Sequence, residues 1–266
     1  MSLSVARLAA EVRSRNPLIH NITNYVAAPL QANALSAIGA SPIMADEEAE
    51  AAEMASLSDG LVINMGTLSR RTISSMHTAM SAAAEKGIPI VLDPVGVGAT
   101  ALRRQTAHEL LAAHRVSIIR ANAGEIAFLA EKAHLGKGVD AGIAPEKPLE
   151  IARKVARRHQ CIVAMTGATD YITDGLRTYV CHNGDAMMSA LVGTGCTASS
   201  VVAAFAAAQP HNLLAAATAA LSYYGLCGEI ATARAEGPGS LAAALLDALY
   251  RLPEEVIEQG SRLSVI

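Results

Sequence analysis

Short apolar runs alternate with alanine-rich stretches of helical length through the first part of this chain, and that rhythm restricts the fold more than any other feature. Residues 18–22, 60–65, 88–92, 117–120 and 161–165 have the length and composition of buried strands. Residues 26–38, 70–86 and 101–113 lie between them and are long enough for helices. A strand, a helix and a further strand in succession close by a right-handed crossover, which makes the sheet parallel. The chain is therefore expected to adopt an α/β fold of three layers, α/β/α, with a mainly parallel sheet and helices on both faces. Residues 171–180 depart from the rhythm: they alternate around Asp174-Gly175, the signature of a hairpin closed by a two-residue turn. From Thr197 onward the pattern is helical almost throughout, interrupted at Gln209-Pro210 and at Gly237-Pro238-Gly239. No linker or internal repeat divides the sequence, so residues 1–266 read as one domain.

Composition removes several classes of function. Apolar residues make up 52% of the chain and the net charge is only −3, a balance that excludes disorder. The same small negative charge leaves no basic footprint for nucleic acid. Arg153, Lys154, Arg157 and Arg158 cluster, but at helical spacing they read as a solvated face. Charges interrupt the N-terminal segment where a signal peptide needs an apolar core, and the longest apolar stretch, residues 199–208, is too short to cross a bilayer. Cys161, Cys181, Cys196 and Cys227 are widely spaced with no Cys-x-x-Cys pair, which argues against a disulfide framework or a zinc ribbon. These features predict a soluble, cytoplasmic protein with neither a membrane nor a nucleic-acid partner.

Ligands of open α/β sheets bind beyond the carboxyl ends of the strands. Here those ends are polar or glycine-rich: Asn24, Asn64 to Thr67, Asp93-Pro94, Arg120 to Asn122, and Thr166-Gly167. The segment Gly193-Thr194-Gly195-Cys196 opens a long helical run. Its two glycines permit a sharp turn and close approach to a ligand, and the free N–H groups of a helix start attract an anion. Such a site suits the charge on a transferring phosphoryl group, although a plain turn capped by Thr194 or Thr197 fits the same residues. Cys196, at a helix start beside an anion site, is expected to have a lowered thiol pKa. No Gly-x-x-x-x-Gly-Lys-Ser/Thr motif occurs, so a P-loop is excluded. Gly193, Gly195 and Ala198 match a permissive dinucleotide fingerprint, but it sits late in the chain and no acidic strand end follows it.

Asp93 follows one candidate strand, and Glu125 closes the segment Asn122-Ala123-Gly124-Glu125 after another. Each has a structural reading, as an N-cap and as a first-turn acid. Two carboxylates at separate strand ends also suit a hydrated Mg²⁺, which takes one or two carboxylates together with phosphate oxygens.

The order of these motifs resembles the ribokinase-like superfamily of ATP-dependent small-molecule kinases, and within it the hydroxyethylthiazole kinase family. The resemblance covers nearly the whole chain. It is carried by Pro17 to Asn24, Ala32-Asn33, Gly39 to Met44, Ile63 to Leu68, Leu92 to Val95, Arg120 to Glu125, Val163 to Gly167, Asp170 to Gly175 and Glu236 to Ser240. Its most specific element is Gly193-Thr194-Gly195-Cys196, because the wider superfamily usually ends this turn with an aspartate base.

The resemblance implies ATP-dependent phosphorylation of the primary alcohol of 4-methyl-5-(2-hydroxyethyl)thiazole in thiamine biosynthesis. It implies Met44, Asn24, Gly193 and Gly195 against the substrate, and Arg120, Asn122, Thr166 and Gly167 against ATP. Asp93 and Glu125 would hold Mg²⁺, and Gly193, Thr194, Gly195 and Cys196 would form the catalytic turn, with Cys196 near the attacking hydroxyl. A homotrimer with active sites between subunits is implied as well. The residue chemistry agrees: a methionine suits a flat sulfur heterocycle, and a guanidinium fork suits phosphate oxygens. From the residues alone, three other classes stay open. They are a cysteine hydrolase pairing Cys196 with His77, His108 or His182, a kinase of a different alcohol, and a non-catalytic binding module.

Overall fold

The structure is a computed structural model and describes residues 3–130 and 147–266. Six parallel strands form the greater part of one sheet: β1 (Leu18–Ile22), β2 (Ser41–Ile43), β3 (Gly60–Asn64), β4 (Ile90–Asp93), β5 (Ile118–Asn122) and β6 (Ile162–Thr166). Three antiparallel strands extend it: β7 (Asp170–Thr173), β8 (Thr178–Cys181) and β9 (Leu263–Val265). The order across the sheet is β2-β1-β3-β4-β5-β6-β7-β8-β9.

Strands buried on both faces must be apolar on both, and here they are. Val62, Val91 and Ile118 point into one core, packed under α1 (Val5–Arg15), α2 (Ala28–Ala37), α8 (Thr194–Ala208), α9 (Leu213–Thr232) and α10 (Pro238–Arg251). Leu61, Ile63, Leu92 and Ile119 point into a second core under α3 (Glu48–Leu57), α4 (Arg70–Lys86), α5 (Ala101–Ala113), α6 (Ala123–Ala130) and α7 (Pro148–His159). The expected three layers are present. Local signals set the helix ends: Ser69 and Thr72 form a capping box at the start of α4, and Gly87 ends it in the left-handed conformation.

Several expectations need correction. Strands β2 and β9 lie outside the predicted runs, since each is only three residues long. The hairpin between β7 and β8 closes with four residues rather than two, because Thr173 pairs with Thr178. Its loop is tied by the Asp174 carboxylate, which accepts from the N–H groups of Leu176 and Arg177. The basic cluster on α7 is more than a solvated face. Arg153 donates to the Thr178 hydroxyl and the Ile266 carbonyl, and Arg157 donates to the Gly175 carbonyl. The 20-residue helix α9 has a mean hydropathy of 1.3 and is long enough to cross a membrane, which the sequence reading missed. Here 78% of its apolar window is buried in the fold, as in a core helix.

Candidate active site

Parallel strands in register bring their carboxyl ends to one side of the sheet. Asn64 lies opposite Asp93, and Asn122 opposite Thr166. Asp93 is fully buried at the end of β4. One of its oxygens, Oδ2, accepts from the Asn64 amide at 2.8 Å and from the Ser199 hydroxyl at 2.7 Å. The Arg120 guanidinium is 3.8 Å away. The other oxygen, Oδ1, is buried with no hydrogen-bond partner. Burial pushes the Asp93 carboxyl up to about 6, with Arg120 opposing the rise and Glu125 adding to it. A carboxylate with one saturated and one unpaired oxygen is poised to take up a further ligand.

Glu125 and Asn122 satisfy each other in a reciprocal cap at the start of α6: Asn122 Oδ1 accepts from Glu125 N, and Glu125 Oε2 from Asn122 N, both at 2.9 Å. Glu125 Oε1 also accepts from Gly96 N at 2.7 Å, which fixes the loop that follows Asp93. The structural reading of Glu125 is therefore realised, and it also sets a second carboxylate close enough to perturb Asp93. Among the described residues no group of three or more His, Cys, Asp or Glu side chains is gathered.

The glycine turn enters α8 through Gly193, which adopts φ +95°. No side chain caps the helix, so neither Thr194 nor Thr197 plays that part. The Thr194 hydroxyl turns away and donates to the carbonyls of Met188 and Leu191, while its own carbonyl accepts from Tyr224 Oη at 3.0 Å. The Gly195 and Cys196 N–H groups, in the first helical turn, have no intrahelical acceptor. Arg120 lies against them: a Cβ on Gly195 would stand 3.1 Å from Arg120 Nη1. Arg120 Nη2 donates to Thr166 Oγ1 at 2.6 Å. Guanidinium, free N–H groups and a threonine hydroxyl thus converge on one point, which is an arrangement for an anion.

Cys196 runs against its sequence expectation. Its thiol pKa is raised, by burial first and then by the Asp93 charge, which outweigh the helix start. Its Sγ accepts from Asn24 Nδ2 at 3.3 Å, and Gln31 holds its carbonyl at 3.0 Å. Asn24 Nδ2 also donates to Asn64 Oδ1 at 2.8 Å, so one chain of amides links the thiol to Asp93.

A cavity of about 600 Å³ opens beside the turn. Arg120, Asn122, Thr166, Gly167, Thr194 and Gly195 line it. Asp93, Glu125 and Cys196 do not line it but adjoin Arg120, Asn122 and Gly195, and Asn24 stands one step further out, against Cys196. Met44 does not line the cavity; it is half-exposed beyond the end of the edge strand β2. The Gly167 N–H is already taken by Asp170 Oδ1 at 3.0 Å, so Thr166 rather than Gly167 offers a free donor. Burial pushes Asp170 up to about 6 as well. Sequence reasoning gave Asn64 as a polar strand end and Asp170 as part of a motif without assigning either a role, and it passed over Ser199 and Tyr224. Ser199 carried a usable signal, since it lies three residues after Cys196 and shares its helix face.

Comparison with known proteins bears on this geometry. A model of the hydroxyethylthiazole kinase family matches residues 9–255. The chain belongs to that family. It is 44% identical over 262 residues to the hydroxyethylthiazole kinase of Moorella thermoacetica, covering 98% of each chain. The structure of the hydroxyethylthiazole kinase protein from Pyrococcus horikoshii superposes with a TM-score of 0.90 at 40% identity, again over 98% of each chain. A ribokinase-like superfamily protein from Enterococcus faecalis shares the fold alone, with a TM-score of 0.62 and 12% identity over 95% of this chain and 96% of that one. As a member of the hydroxyethylthiazole kinase family, the chain is an enzyme of the kinase class with a ribokinase-like fold.

Proposed function

We propose that this kinase, acting as a single unit over residues 1–266, transfers the γ-phosphoryl group of ATP to the primary alcohol of 4-methyl-5-(2-hydroxyethyl)thiazole, a step of thiamine biosynthesis and salvage. The observation that carries the reading is that Arg120, Thr166 and Gly195, with the free N–H of its helix start, line one cavity roomy enough for a nucleotide, with Cys196 next in the turn. Phosphoryl transfer asks a protein mainly for positioning and charge stabilisation. Arg120 and Thr166 hold phosphate oxygens, and the turn cradles the phosphoryl group as charge develops on it. Asn122 flanks the nucleotide and Asn24 faces the thiazole side, while Met44, which does not line this cavity, would meet the thiazole only from a neighbouring subunit.

The unpaired Oδ1 of Asp93 beside Glu125 fits a divalent cation, because a buried orphan acceptor next to a second carboxylate costs free energy until a cation satisfies it. Asp93 and Glu125 would hold Mg²⁺, which would supply neutralisation of the phosphate oxygens. The proposal extends to a homotrimer in the cytoplasm, where ATP is made. Its support is the exposed apolar surface of Tyr25, Val26 and Val192 flanking the turn, since Ala27 packs directly on Gly193.

A coupled assay of ADP release, with the thiazole alcohol and with hydroxymethylpyrimidine as control, tests the reading. Turnover that depends on Mg²⁺ and on the thiazole alcohol is the expected result; turnover with the pyrimidine alone would refute the substrate.

A thiol with a raised pKa is protonated at neutral pH and makes a poor base. Cys196→Ala is therefore expected to lower kcat only about fivefold, the worth of one net hydrogen bond. Cys196→Asp is expected to stay active, because Asn24 can donate to a carboxylate as it does to sulfur. Steady-state kinetics checks both, and a folded but wholly inactive aspartate variant would displace residue 196 from the attacking hydroxyl.

A further inference from the structure

One wall of the cavity comes from the segment that begins at Asn183 and Gly184, which leaves the sheet at the end of β8. What fixes the start of this wall lies outside the cavity. Glu229, on α9, accepts through Oε1 from Gly184 N at 2.6 Å and from Asn183 Nδ2 at 3.2 Å. The Asn183 Oδ1 accepts from the backbone N–H of Arg262 at 2.9 Å and from the Ser222 hydroxyl at 3.0 Å. Arg262, just before β9, closes the circuit. Its Nη1 and Nη2 each lie 2.8 Å from a Glu229 oxygen, and Nη2 also donates to the His182 carbonyl. The His182 N–H returns to the Arg262 carbonyl at 3.0 Å. Arg262 falls beyond the residues that the family model matches.

We propose that the Arg262–Glu229 pair clasps the Asn183–Gly184 wall of the nucleotide cavity, which makes both side chains positioning residues for nucleotide binding. The inference rests on the reading of that cavity as the ATP site. Two physical effects act together. The forked pair is the stronger, charge-assisted kind of hydrogen bond, and it fixes direction as well as distance. It also neutralises a carboxylate beside a cavity that must accept polyphosphate and already contains Asp170 and Asp185. About half of the Arg262 side chain is exposed, so the pair adds little to global stability and its loss leaves the fold intact.

Titration with N-methylanthraniloyl-ADP, alongside steady-state kinetics, tests the clasp. Arg262→Ala is expected to raise the nucleotide Kd and the KM for ATP about tenfold. The KM for the alcohol and the melting temperature should stay near wild type, and Arg262→Lys should recover part of the loss. Glu229→Gln, which keeps an acceptor for Gly184, is expected to weaken binding about threefold, and adding Arg262→Ala to it should cost less than the product of the single effects. Wild-type nucleotide affinity in Arg262→Ala would overturn the proposal, as would equal weakening for nucleotide and alcohol with a fall in melting temperature. A wild-type chain that binds no nucleotide would instead overturn the reading of the cavity.

Discussion

Replacing Asp93 by asparagine is expected to cut kcat by about 10³-fold and, at neutral pH, to raise the melting temperature. The loss follows from removing a buried carboxylate that has one unpaired oxygen and lies beside Arg120, in the role proposed above. The gain follows from the same burial. The folded chain holds the Asp93 carboxyl up to about 6, above its ordinary value. A carboxyl whose folded pKa exceeds its unfolded one binds its proton more tightly in the native state. Stability is therefore lost as pH rises from about 4 to about 6, and the penalty persists above that window. At neutral pH it is on the order of 3 kcal/mol, and a neutral isostere recovers part of it. For a chain of this size that is a rise of about 3 °C or more. Calorimetry at pH 7.5 and pH 5 checks the claim, because the advantage of the variant should shrink at pH 5, where wild-type Asp93 carries a proton. Asp170, raised for the same reason, is present in both proteins and cancels. An asparagine variant less stable than wild type at pH 7.5 would show that Asn64, Ser199 and Arg120 more than offset the desolvation.

Arg120→Ala is expected to lower kcat/KM by about 10³-fold, the scale of a guanidinium that stabilises a transferring phosphoryl group. Arg120→Lys should recover less than about a tenth of the lost activity. The reason is geometric: one nitrogen of the fork lies near Asp93 and Gly195 while the other donates to Thr166, and a single ammonium cannot do both. Removing the cation also strips Asp93 of the attraction that opposes its burial. The acid limb of the pH–rate profile should then move to higher pH. A lysine variant as fast as wild type would reduce Arg120 to a point charge.

Much of this molecule could be read before its structure. The parallel strands are apolar on both faces, so β1, β3, β4, β5 and β6 appear as runs that no loop would carry. Their carboxyl ends then named Asn24, Asp93, Arg120, Asn122 and Thr166, which the structure brings together with the glycine turn. The unread parts depend on partners distant in sequence. Strand β9 is three residues that find β8 more than eighty positions earlier, and nothing local marks them. Asn64 and Ser199 meet at Asp93 only once β3, β4 and α8 are in register. The thiol of Cys196 shows the reverse failure: a local rule about helix starts was sound, but burial and the Asp93 charge, both tertiary, outweighed it.

Helix α8 carries no charged residue, and twelve of its fifteen positions are buried. Alanine, serine and valine let it lie close against the sheet on one side and against α9 on the other. Amide groups in such a setting exchange with solvent only through openings nearly as costly as unfolding the whole core. The groups proposed to cradle the anion sit where this helix begins: Gly195 and Cys196, in its first turn, are only partly buried, and the buried body of the helix anchors them from behind. Opening that admits reactants or lets products leave is therefore expected from the cavity's other walls rather than from the buried body of this helix.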